Sequence, residues 1–336
     1  MPSSTGSLSL LKNVEEGSYD PCGYFIRKDN EKLSKISIAC LIITLLIVGI
    51  LTKVLYFNQP SAAYSREEDS NIYQFIYISP AAERLPLNGK LFCWVQTAPM
   101  YHETRALAIN ETWLSRCDHG QLFTSGIFQD PNVPYSTVFG GIPESYYNLF
   151  FKSRFAFHYI WKNISKDFDW YFKADDDTYV VVEHLKEYLN TLDPNKPYYL
   201  GYILRPYLPN GYNAGGAGYV LSREALRQFN EFAYNNETLC PDDIYEDVGI
   251  GRCLSNLEIF PHDTRNSNGQ NRFYQYTPSD LFHARKSDPK YTWFVEDRGF
   301  PAFASNMVSF HHLTPDEIRL FDILLYRTNH PTNSSA

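Results

Sequence analysis

Apolar and polar positions alternate along this chain with two different periods, and the two periods take turns. An apolar run at 90–96 predicts a first strand, and Gln121, Leu122, Phe123 and Thr124 a second. Between them, residues 102–116 look helical. Tyr146, Leu149, Phe150, Ser153, Phe157, Ile160 and Trp161 then recur at helical spacing on one face. That helix leads into the aromatic run 169–174, which predicts a buried strand. A second helical stripe, Leu185, Tyr188, Leu189 and Leu192, closes at Asp193-Pro194. Further strands are predicted at 198–202, 217–221, 257–260 and 306–310. A final helix opens at Thr314-Pro315-Asp316-Glu317, a capping box with proline at its first position. Strands alternating with helices predict an α/β fold with a mostly parallel central sheet.

Residues 36–55 follow neither period. They form an apolar stretch of about 20 residues, the length that crosses a hydrocarbon core. Arg27, Lys28, Lys32 and Lys35 precede it and Arg66-Glu67-Glu68-Asp69 follows it. The positive-inside rule then predicts a single-pass type II signal anchor: cytoplasmic tail 1–35, span 36–55, stem 56–87 and lumenal domain 88–336. A cleaved signal peptide fits less well, because a long polar segment precedes the run. The net charge of −8 and the lack of a basic cluster argue against nucleic-acid binding.

Cys93, Cys117, Cys240 and Cys253 lie beyond the span, where an oxidising compartment would pair them. Three connectivities are possible, the simplest being Cys93–Cys117 with Cys240–Cys253. Sequons occur at Asn110, Asn163, Asn236 and Asn333.

The chemistry concentrates at Asp175-Asp176-Asp177, at the carboxyl end of a predicted buried strand, where open α/β sheets bind ligands. Three adjacent carboxylates repel one another and are costly to desolvate without a partner. They suit a hard divalent cation, Mn²⁺ or Mg²⁺. A solvated acidic turn is the alternative for such a triplet taken alone. The chain has neither a P-loop nor a Gly-x-Gly-x-x-Gly turn. A metal that itself grips a diphosphate is what a nucleotide-sugar transferase needs.

The segment Trp170-Tyr171-Phe172-Lys173-Ala174-Asp175-Asp176-Asp177-Thr178-Tyr179-Val180 resembles the signature of the core 1 β-1,3-galactosyltransferases, or T-synthases. These belong to a larger β-1,3-glycosyltransferase class that includes Fringe. The resemblance continues through 211–222, Glu246 to Cys253, and Val308-Ser309-Phe310-His311, with Cys93-Trp94-Val95 and Thr112-Trp113 near its start. It covers most of 88–327.

It implies a GT-A fold, UDP-galactose as donor, Mn²⁺ as cofactor with Mg²⁺ the second choice, and Golgi-membrane residence. The implied acceptor is a GalNAc-bearing glycoprotein, and homodimers are common in the family. Asp177 would be a metal ligand, with Asp175 at the metal and at the donor ribose and Asp176 in the same shell. His311 would be a further ligand, although a structural histidine is the other reading of that residue. Asp247 would be the catalytic base; Glu246 beside it would face the acceptor, and the acidic pair also suits a helix start. Gly215 and Gly216 would give the donor close access, or serve only as a tight turn. Trp293 would stack on the acceptor sugar, or only pack in the core.

Three departures cluster on the acceptor side: 294–300 lacks the family's Trp/Tyr/Asn-rich stretch, 301–308 lacks a cysteine pair, and His312 stands where Tyr is usual. A different acceptor or donor, or a non-catalytic folding partner of related transferases, are the competing functions.

Overall fold

The computed structural model describes residues 43–44, 64–283 and 288–328. The chain divides into two compact units, Met1–Pro60 and Ser61–Ala336. In the first, only Ile43 and Thr44 are described, both helical. All that follows concerns the second.

Its central sheet has seven strands in the order β10-β6-β9-β4-β1-β2-β3. They are β1 (Asn88–Gln96), β2 (His119–Phe123), β3 (Tyr135–Ser136), β4 (Asp167–Asp175), β6 (Tyr199–Gly201), β9 (Tyr219–Ser222) and β10 (Pro261–His262). Only β9 runs against its neighbours, so the sheet is mostly parallel. Two smaller sheets flank it. One joins β5 (Tyr179–Val180), β11 (Phe273–Tyr274) and β12 (Ser309–Phe310); the other pairs β7 (Ile203–Leu204) with β8 (Tyr212–Asn213).

The alternation along the strands sorts side chains onto two buried faces. Leu91, Cys93 and Val95 of β1 join Trp170, Phe172 and Ala174 of β4 in one core; Phe92 and Trp94 join Tyr171 in the other. Burial on both faces is why these strands read as nearly continuous apolar runs. Helix α1 (Leu149–Tyr159), the one with the 146–161 stripe, covers the second face with Phe150, Phe155 and Phe157. Helix α2 (Val182–Leu189) covers the first through Val182, Leu185 and Leu189. Helix α3 (Glu246–Ser255) packs on α1 through Phe150 and Gly249: a Cβ on Gly249 would lie 2.3 Å from the Phe150 ring. The C-terminal α4 (Pro315–Asp322) carries the capping box expected at Thr314 and Glu317.

Several sequence expectations change. The strand expected at 257–260 is a turn with Glu258 at φ +61°, and the strand begins at Pro261. The segment expected as a stem is part of this unit from Tyr64 onward. Tyr64, Ile72 and Ala82 are buried, and Asp69 accepts hydrogen bonds from Tyr64 Oη (2.7 Å), Arg154 Nη2 (2.6 Å) and Tyr234 Oη (2.5 Å). Both expected disulfides are present, Cys93–Cys117 and Cys240–Cys253. Asn163 and Asn236 are exposed and Asn110 is half-buried; Asn333 lies outside the described residues.

The expected Golgi-membrane, single-pass type II location with a lumenal catalytic domain is corrected. Among the described residues no helix is long and apolar enough to cross a membrane. Apart from Ile43 and Thr44, the apolar stretch 36–55 lies outside the described residues. Apolar length in a sequence is a condition for a spanning helix and not itself one.

The capping box yields a test. Thr314→Ala removes the acceptor of the Glu317 N–H (3.3 Å) and should cost about 1 kcal/mol, read as a lower urea midpoint at unchanged m.

Candidate active site

Strand β4 ends at Asp175, opposite Gln96 at the end of β1, so the Asp triplet sits at the carboxyl edge of the two central strands. Each carboxylate has its own partner. Lys173 Nζ, itself 2% exposed, donates to Asp175 Oδ1 at 2.6 Å. Asp176 accepts from Thr97 Oγ1 at 2.6 Å, and Arg105 Nη1 lies 3.3 Å from Asp176 and 3.2 Å from Asp177. Burial pushes the Asp176 carboxyl up to about 6, with Asp177 adding repulsion and the Thr97 bond opposing. Burial would raise Asp177 as well, but the hydrogen bond and charge of His311, then Arg105, hold it below the usual range.

His311 reaches the triplet through the small sheet. Strand β12 pairs antiparallel with β5, setting Phe310 opposite Tyr179, and Leu313 N donates to Asp177 O at 3.0 Å. The imidazole Nε2 then lies 3.1 Å from Asp177 Oδ1. His312, at φ +62°, stacks on it with centroids 3.7 Å apart. One ligand atom each from Asp177, His311 and His312 lies within 4.8 Å of the others, a cluster that could hold a metal ion. His311 Nδ1 is buried and has no hydrogen-bond partner among the described residues. A carboxylate and two imidazoles, one with an unsatisfied nitrogen, fit a divalent metal ion.

The glycines have a steric reason. A Cβ on Gly216 would lie 1.9 Å from His311 Cε1, so the backbone must be bare there for the imidazole to enter. The loop is fixed around it: Thr178 Oγ1 donates to Gly216 O and Ser309 Oγ to Ala217 O, both at 2.6 Å. A Cβ on Gly215 would lie 2.5 Å from Glu246 Oε2.

Glu246 and Asp247 open α3, where the helix dipole favours acidic residues. Glu246 is buried; it accepts from Tyr219 Oη at 2.7 Å and lies 3.6 Å from Lys173 Nζ. Burial, then the charge of Glu246, pushes Asp247 up to about 6, against hydrogen bonds from Gly215 N (3.4 Å) and Val248 N (2.9 Å). The Cys240–Cys253 bond ties this helix to the loop before it.

All these groups face one cleft of about 390 Å³. It is lined by the Asp triplet, Gly215, Gly216, Glu246, Asp247 and His311. Trp293 is not among its lining residues. Its backbone N–H donates to Ile203 O of β7 at 3.1 Å, and the Arg205 guanidinium covers its ring at 4.8 Å. The cleft also contains Arg105, Lys152, Tyr146 and Gln275, which sequence reasoning did not assign to it, and His312, which it placed on the acceptor side. Lys152 is 1% exposed and pairs with Glu144 at 2.7 Å. Neither Lys152 nor Arg105 carried a sequence signal: Lys152 lies outside the expected apolar stripe of 146–161, and Arg105 lies in an ordinary helical segment.

The chain matches the Fringe-like family over residues 88–281. It is 31% identical over 251 residues to glycoprotein-N-acetylgalactosamine 3-beta-galactosyltransferase 1 of Xenopus laevis, covering 73% of this chain and 68% of the relative. It is 30% identical over 212 residues to human chondroitin sulfate synthase 3, and 30% over 184 residues to human beta-1,3-glucosyltransferase. Those two matches cover 57% and 52% of this chain, and 22% and 35% of the relatives. A cleft with clustered carboxylates, an Asp/His group able to hold a metal and a buried aspartate at a helix start is thus found in a chain two of whose relatives are named as a galactosyltransferase and a glucosyltransferase. The chain belongs to the Fringe-like family and is a glycosyltransferase.

Proposed function

We propose that this glycosyltransferase is an inverting enzyme of the GT-A type that transfers galactose from UDP-galactose, in β-1,3 linkage, to N-acetylgalactosamine O-linked to Ser or Thr of a glycoprotein. One observation carries the reading: Asp177 and His311, from distant parts of the chain, meet in the same cleft as Asp247, whose carboxyl is poised near neutrality. The name of the Xenopus relative supports the donor sugar, the acceptor sugar and the linkage.

Asp177 and His311 would hold Mn²⁺, with Asp175 beside them and His312 adding an imidazole; Mg²⁺ is the second choice, because it accepts imidazole less readily. The bound ion supplies charge that offsets the diphosphate of the donor and of the departing UDP. Arg105 spans Asp176 and Asp177 and offers a further cation to that diphosphate. Asp175 and Asp176 orient the donor, and the bare backbone of Gly215 and Gly216 makes room for Glu246 and His311 beside it.

Asp247 acts as the base. It takes the proton of the acceptor 3-hydroxyl while that oxygen bonds to the anomeric carbon. The bond from that carbon to the diphosphate oxygen breaks, and its electron pair leaves with UDP. Attack from the opposite face inverts the anomeric centre, so no covalent enzyme intermediate is needed. A carboxyl raised to about 6 suits a general base, being ionised at neutral pH and more basic than a free aspartate. Glu246, held by Tyr219 and near Lys173, would face the acceptor next to Asp247.

Two outcomes test this. Asp177→Ala should abolish galactose transfer from UDP-galactose to a GalNAc-peptide and remove Mn²⁺-dependent UDP binding in calorimetry; wild-type protein equally inert toward every sugar nucleotide would sink the reading. Because a base works only when deprotonated, kcat/KM should fall as pH drops through about 6. Asp247→Asn should lower kcat roughly 10²–10⁴-fold and leave the donor KM near wild type.

A further inference from the structure

Exposed tyrosines border the cleft on the side of Asp247. Tyr146 lines the cleft and is 63% exposed. Tyr245, immediately before Glu246 and Asp247, is 39% exposed, and Tyr207 is 69% exposed. The rings of Tyr207 and Tyr245 stack, with centroids 5.9 Å apart and planes at 22°.

Tyr207 is held there by an unusual backbone. Its φ is +74°, and Leu208 N donates to Pro206 O at 3.0 Å, closing a γ-turn of the rare positive-φ kind. Bulky side chains seldom occupy this region, where glycine would be unstrained. The turn is anchored beneath the ring. Leu208 packs with Tyr212 and Val248 in a small buried cluster, and Val248 follows Asp247 on α3. A Cβ on Gly251 of the same helix would lie 2.6 Å from Tyr212 Cβ, so the loop and the helix are in close contact. The backbone that carries the ring is therefore tied to the helix of Asp247, while the ring itself stays largely in solvent. A tyrosine serving only the fold would bury its ring, and a turn serving only the chain would carry glycine. Strain of this kind persists at ligand sites.

We propose that Tyr207 and Tyr245, together with Tyr146, form a platform that seats the acceptor saccharide beside Asp247 by stacking against the apolar face of its pyranose ring. An aromatic face is electron-rich and attracts the polarised C–H groups of a sugar, and the phenol hydroxyl can hydrogen-bond the ring hydroxyls. The occupant follows from continuity with the cleft: Tyr146 lines it, the charges of Asp247 and Tyr245 both act on the Tyr146 phenol, and Tyr245 directly precedes Glu246 and Asp247 and stacks on Tyr207. The Trp293 ring is covered by the Arg205 guanidinium at 4.8 Å, whereas Tyr207 keeps 69% of its surface in solvent. The proposal rests on the transferase reading above and names the residues that select its acceptor.

The test uses the purified full chain and methyl α-N-acetylgalactosaminide as probe, with binding read by saturation-transfer NMR and turnover by the acceptor KM. Tyr207→Ala should weaken glycoside binding and raise acceptor KM roughly tenfold, about 1.4 kcal/mol, with donor KM unchanged. Tyr207→Phe should stay near wild type, because the ring does the stacking. Tyr207→Gly should lose binding like the alanine variant yet raise Tm, because glycine relieves the turn; a fall in Tm would mark a structural role and overturn the platform. Unchanged glycoside binding in both variants also overturns it. So does a KM rise confined to glycopeptide acceptors, which would assign the rings to the polypeptide. Glycoside binding that is lost in Tyr207→Ala, in a protein that transfers nothing, upholds the platform and removes the transfer reading. Normal transfer with an unchanged acceptor KM in Tyr207→Ala does the reverse.

Discussion

The cleft depends on the buried cation at the end of its central strand. Lys173 lies near the end of the central strand, 2% exposed, between Asp175 at 2.6 Å and Glu246 at 3.6 Å, and also donates to Gly215 O at 3.3 Å. Burial opposes its charge, but Asp175, Glu246 and Asp247 together outweigh that and hold its pKa above the usual lysine range. Without an ammonium here, buried carboxylates from a strand and a helix would face each other uncompensated. Removing one partner of a buried pair typically costs about 3–5 kcal/mol. The same lysine joins three pieces that sequence keeps far apart: the Asp triplet, the glycine loop and the start of α3. In such a network, geometry and electrostatics are one property.

Around that cation the site is built on elements that have little freedom. The triplet leaves a strand buried on both faces, and Asp247 stands on a helix tied by a disulfide. His311 arrives on a two-residue strand that would be marginal alone. It is secured by its pairing with β5, by Ser309 Oγ on Ala217 O, and by the bare backbone of Gly216. Sites held by packed elements keep their geometry better than sites on free loops. The acceptor side is built differently, from loops whose rings stay exposed, and loops are where specificity varies among proteins sharing a fold.

Legibility in the sequence followed burial. Strands β1 and β4 and helices α1, α2 and α4 could be read because their apolar periods reflect the two cores. Strands β3, β5 and β11 have two residues each, too few to show any period. The strand expected at 257–260 failed for a definite reason: Leu257 and Ile259 are apolar because the turn around Glu258 packs on the core, not because they lie in a ladder. The segment after residue 64 looked like a polar stem because its buried apolar residues, Tyr64, Ile72 and Ala82, are scattered among charged ones, of which Asp69 and Arg66 also tie it to the domain. The apolar stretch at 36–55 supported a membrane location that no described helix bears out.

The sequence by itself determined the α/β class, the local motifs and their residue types: an acidic triplet after a buried strand, a glycine run, an acidic pair at a helix start, and a histidine after a strand. These are local features, and local features leave a mark within a few positions of the chain. Only the tertiary structure decided which of them meet. It brought His311 and His312 to Asp177, set Lys173 between two carboxylates, placed Arg105 and Lys152 in the cleft, and kept Trp293 out of its lining while leaving Tyr207 in solvent beside α3. Contacts between residues far apart in the chain depend on sheet order and loop course, which a pattern of apolar and polar positions does not encode.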